Sequence, residues 1–175
     1  MSVFDEFLGA NEQYVQGFDR GDLAMPPRRH VAVLTCMDAR LHPEKFLGLD
    51  VGDAHVIRNA GGRASQDAIR SLAISERLLG TTEIVVIHHT DCGMLTFQNT
   101  DLAAKIQADL GVDASDWDFL PFQDLEASVR DDVAILRSSP LIPRDIPISG
   151  AIYDVRTGRL EEVVRDAGAR QVGAT

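Results

Sequence analysis

A chain of 175 residues, 45% apolar and 25% charged, has the size and composition of one soluble globular domain, expected to span residues 1–175. Its net charge of −10 and pI of about 4.8 argue against a nucleic-acid partner or anionic lipid, either of which needs a basic surface. No segment approaches the ~20 apolar residues of a membrane span, and Met-Ser-Val-Phe-Asp-Glu-Phe lacks the basic and apolar regions of a secretory signal.

A cytoplasmic location follows as the expectation, and with it reduced thiols at Cys36 and Cys92.

Along the chain, Phe4, Phe7, Leu8, Val15 and Phe18 recur on a helical period and predict an amphipathic helix ending near Gly21. Pro26-Pro27 breaks the chain, and His30 to Thr35 then reads as a buried strand. A short helix over Pro43 to Leu49 precedes a second strand, Ala54 to Arg58. Ser65 is a fitting cap for a helix that Gly80 stops. Glu83 to His88 is the third strand. Met94 to Gly111 reads as helix in two pieces, Asp113 to Leu120 as an irregular loop, and Phe122 to Ser138 as helix. Ile146 to Val155 and Leu160 to Val164 form an antiparallel hairpin around Arg156-Thr-Gly-Arg159.

Apolar strands alternating with helices predict an α/β fold: a mainly parallel central sheet flanked by helices, with an antiparallel C-terminal edge strand. Ligands of such sheets bind beyond the carboxyl ends of the strands. Two segments fall there. Thr-Cys36-Met-Asp38-Ala-Arg40 follows the first strand, and His89-Thr-Asp-Cys92-Gly follows the third.

Two thiols and one imidazole are the donor set of a catalytic zinc with an open fourth position. Cysteine is commonly just a small buried hydrophobe, but here both cysteines and a histidine at ligand spacing meet at one sheet edge. His88 and His89 are neighbours in an extended segment and point to opposite faces, so only His89 is a ligand candidate. A helix starting just after Cys92 would favour its thiolate. Asp38, paired with Arg40, stays ionised and is suited to orient a reactive water; as an alternative, Asp38 is itself the fourth ligand. Arg58-Asn-Ala-Gly-Gly-Arg63 permits a tight turn near a small ligand, or is only the turn before the next helix. His30, His42 and His55 carry no ligand pattern, and Trp117, Phe119 and Phe122 read as packing residues.

Together C-M-D-A-R, R-N-A-G-G-R, H-H-T-D-C-G-M and I-S-G-A-I-Y-D-V-R-T-G-R-L resemble, in order, the β-class carbonic anhydrases, in their compact prokaryotic form. The resemblance implies one Zn²⁺ per chain on Cys36, His89 and Cys92, an orienting dyad of Asp38 and Arg40, and hydration of CO₂ to bicarbonate. It implies a homodimer or higher homo-oligomer, with the helix at about residues 1–20 on a partner subunit. Hydrolysis of CS₂ or COS on the same fold, or a non-catalytic zinc-binding role, are the alternatives.

Overall fold

The computed structural model describes residues 2–169; Met1 and residues 170–175, which the expected domain includes, lie outside them. The elements in order are α1 (Val3–Val15), β1 (Val31–Cys36), α2 (Pro43–Phe46), β2 (Ala54–Asn59), α3 (Gln66–Leu79), β3 (Glu83–His89), α4 (Asn99–Leu110), α5 (Leu125–Ser138), β4 (Ile148–Tyr153) and β5 (Leu160–Asp166). Five strands form one sheet in the order β2-β1-β3-β4-β5. The first four are mutually parallel, and β5 returns antiparallel to β4 with an irregularity between Gly150 and Ala151. This is the expected α/β architecture.

The parallel register sets the site. Cys36 pairs with Asn59, and His89 with Tyr153. Cys36 and His89 are each the last residue of their strand. The first strand starts one residue later than expected because His30 adopts a left-handed φ of 52°, which cannot continue a strand.

Below the carboxyl edge the core is apolar. Ala32, Leu34, Ile84, Val86 and Ile148 meet Ala68 and Leu72 of α3 and Val133 and Leu136 of α5. Ser65 caps α3 through the Ala68 amide at 3.2 Å, and Asp124 caps α5 through Ala127 at 2.7 Å. α5 begins at Leu125 rather than Phe122, because that cap sits at Asp124.

Two helix expectations change. Gly93–Leu95 forms only a single 3-10 turn before α4. α1 stops at Val15, and Val3, Phe4, Phe7, Leu8, Tyr14 and Val15 are all exposed, with no residue of the helix buried. No helix among the described residues is long and apolar enough to cross a membrane.

Candidate metal centre

Cys36, His89 and Cys92 are buried, and their ligand atoms all lie within 4.8 Å of one another. Strand ends bring the first two together, and the turn after β3 brings the third. That turn needs a left-handed residue, supplied by Asp91 at φ 56°. Asp is among the few side chains that tolerate this region.

His89 Nδ1 donates to the Thr90 carbonyl at 2.8 Å. This bond fixes the tautomer and turns Nε2 toward the sulfurs as a lone-pair donor. Nε2 is buried and has no hydrogen-bond partner among the described residues. Burial pulls the His89 pKa down, but the Cys36 sulfur and the Thr90 carbonyl push harder, and the net shift is upward. Cys36 is drawn down to about 4, first by the hydrogen bond from Cys92, against its own burial. Cys92 is correspondingly raised, chiefly by that same bond, and the Met94 amide opposes the rise. Two thiolates this close repel unless a cation lies between them. An orphaned imidazole nitrogen facing two sulfurs is the donor set of a soft or borderline divalent metal, and the residues fit one.

Beside them, Asp38 Oδ2 lies 3.8 Å from His89 Nε2. Arg40 grips Asp38 bidentately, Nε to Oδ1 at 3.0 Å and Nη2 to Oδ2 at 2.7 Å. The Arg40 hydrogen bond holds the Asp38 carboxyl well below the usual carboxylate range. Asp38 therefore presents a permanent negative acceptor next to the donor set.

The Arg58–Arg63 segment braces this arrangement. Arg58 donates to the carbonyls of Cys36 at 3.0 Å and Asp38 at 2.7 Å. Gly62 has a φ of 70°, and a Cβ there would lie 2.9 Å from the Thr35 carbonyl carbon, so only glycine lets this loop rest on β1.

Behind the site is a buried polar cluster that periodicity gave no hint of. Asp132 accepts from the Ala64 amide at 3.1 Å. Its Oδ2 lies 3.0 Å from His88 Nε2 and 3.2 Å from Arg63 Nε. Neither contact has hydrogen-bond alignment; the attraction between Arg63 and Asp132 is mainly Coulombic, while His88 Nε2 lies 3.3 Å from the Gly62 carbonyl. His88 Nδ1 meets Ser128 Oγ at 2.7 Å. His88 thus points away from Cys36 and Cys92, as the alternation along β3 requires.

The other histidines stay outside. His42 pairs with Glu44 on the surface at 3.2 Å, His30 contacts the Gly80 carbonyl, and His55 contacts Ser75. Phe122 packs with Cys36, Cys92, Leu41 and Met94 in an apolar wall at the carboxyl edge, whereas Trp117 is exposed.

A Cys-His-Cys donor set beside an arginine-held carboxylate, at the carboxyl edge of a parallel sheet, is an arrangement that could hold a metal ion next to a charged acceptor. The sequence model of the carbonic anhydrase family matches residues 31–160. Beta-carbonic anhydrase 1 of Mycobacterium bovis is 45% identical, over 93% of this chain and 99% of its own. A carbon disulfide hydrolase of an Acidianus species is 40% identical over 79% of each chain. The crystal structure of a carbonic anhydrase from Streptococcus mutans superposes with a TM-score of 0.91 at 58% identity, covering 94% of this chain and 99% of its own. The chain belongs to the β-carbonic anhydrase family.

Proposed function

We propose that this chain catalyses the reversible hydration of carbon dioxide to bicarbonate and a proton, with one zinc ion held by Cys36, His89 and Cys92. The observation that carries the reading is the convergence of those three donor atoms beside the Arg40-held carboxylate of Asp38. When bound, zinc supplies the Lewis acidity that lets water attack an electrophilic carbon at neutral pH. Two thiolates and a neutral imidazole balance its charge.

The remaining work falls to side chains of this chain. Asp38 stays ionised, so it accepts a hydrogen bond from the reacting water and aims the oxygen lone pair. Arg40 fixes the plane of that carboxylate, a task its fork suits and a lysine does not. His89 holds its Nε2 toward the sulfurs through Thr90. The wall of Leu41, Met94 and Phe122 offers an apolar boundary to a small linear substrate.

The same proposal includes a homodimer or higher homo-oligomer in the cytoplasm, without nucleic-acid or membrane partners. Its support is the unburied apolar stripe of α1, which a partner subunit would cover, and the net charge of −10.

Hydrolysis of CS₂ is the second reading, favoured by the carbon disulfide hydrolase relative. Exchange of ¹⁸O between CO₂ and water, measured on zinc-loaded protein beside CS₂ hydrolysis, separates the two. Rapid exchange with negligible CS₂ turnover is expected; the opposite pattern replaces the first reading by the second.

A further inference from the structure

Arg40 does more than meet Asp38. Its Nη1 donates to Asp91 Oδ2 at 2.7 Å, and its Nη2 to the Asp91 carbonyl at 2.9 Å. Asp91 stands between His89 and Cys92, so one guanidinium ties the segment after β1 to the turn after β3. Asp38 occupies the inner edge of the fork and Asp91 the outer edge. Among the described residues, Arg40 is the hydrogen-bond partner of the Asp91 side chain.

Arg40 is 47% exposed. An arginine so exposed and held by one carboxylate rotates among conformers, and such a pair is worth little. With donors engaged on both edges, rotation of the guanidinium breaks every contact at once. Asp38 needs this restraint because its Oδ2 already lies 3.8 Å from His89 Nε2. A carboxylate freed from the fork is close enough to turn toward the donor atoms rather than lie beside them.

From this geometry we infer that Asp91 is a positioning residue: it clamps the outer edge of Arg40 and thereby keeps Asp38 in register beside the metal site. The inference rests on the proposed function for its consequence, but the clamp itself is a property of the side chains. A purely conformational role for Asp91, as the left-handed residue of the turn, is separable. Asn accepts the same φ as readily as Asp, and Gly more readily.

Full-length, zinc-loaded Asp91→Asn and Asp91→Gly are the test. Both should keep zinc content and melting temperature near the parent values while kcat/KM in ¹⁸O exchange falls roughly tenfold, the scale of lost outer partners at metal sites. In an Arg40→Ala background, Asp91→Asn should cost nothing further. Independently of activity, the Arg40 Nε–H signal in ¹H–¹⁵N spectra should be resolved and slowly exchanging in the parent, and lost in Asp91→Asn. Parent-like kcat/KM together with an unchanged Arg40 signal overturns the inference. So does an equal loss in the Arg40→Ala background, which would mean that Asp91 acts elsewhere. A parent without exchange activity refutes the proposed function instead, and the Arg40 signal then still decides the clamp.

Discussion

Replacing Asp132 by alanine removes the one carboxylate shared by Arg63, His88 and the Ala64 amide. Asp132 is 1% exposed and the Arg63 side chain 11%. Removing one partner of a buried pair strands the other charge, at about 3–5 kcal/mol. Slight water access and the Phe122 ring, 5.4 Å from the guanidinium carbon, place the loss at the low end. The orphaned Ala64 amide adds about 1 kcal/mol. A total of about 4 kcal/mol is expected for Asp132→Ala, and about 2 for Asp132→Asn, whose amide oxygen still accepts from Ala64. Urea unfolding of the zinc-loaded protein measures both, provided the m-value is unchanged. The stranded charge is the source, so the cost should shrink by half or more in an Arg63→Met background. A loss under about 1 kcal/mol, or the same loss with Met at position 63, refutes the reasoning.

Cys36→Ser and Cys92→Ser should each lose most bound zinc by metal analysis; full occupancy in both removes them from the ligand set. Asp38→Asn should retain zinc and lose ~10²-fold in kcat/KM, since an amide is not a charged acceptor, and Arg40→Lys should lose nearly as much. Glu76 has both carboxylate oxygens buried without a hydrogen-bond partner among the described residues, and burial raises its pKa from 4.5 to about 7. The folded chain keeps this proton where the unfolded chain releases it, so stability falls as pH rises between those values. Glu76→Gln should therefore be more stable by about 1–2 kcal/mol above pH 7, after allowance for partial exposure, and the gap should close toward pH 4.5 in thermal melts. Deleting residues 1–20 should lower the mass seen by light scattering; a truncated chain that keeps its assembly and activity contradicts the role given to α1.

The sheet was legible because β1, β3 and β4 are near-continuous apolar runs, and each site segment follows one of them directly. Cys36, Asp38, His89 and Cys92 met as local spacing and parallel order required. What stayed hidden depends on long-range pairing. Asp132 lies 68 residues from Ala64 and Ser128 lies 40 from His88, and on α5 both look like ordinary polar positions. Asp91 drew no reading of its own, because its reach to Arg40 across 51 positions has no local signature. The helix expected directly after Cys92 failed for a local reason: the chain makes one 3-10 turn there, and Asn99 begins α4 only four residues after it ends.

Gly150 shows how a residue can govern a site it never touches. A Cβ there would lie 2.5 Å from Val129 Cγ1 and 3.1 Å from Val133 Cγ2. Ser128 and Asp132 are the residues just before those valines. The height at which α5 rides over β4 is therefore also the reach of the two groups that grip His88. A methyl at this position would act as a shim, lifting one helical turn and backing its polar side chains away from β3 and the Arg63 loop. Part of the centre's calibration thus resides in a missing side chain on a neighbouring strand, where a survey of charged and ligating residues would never look.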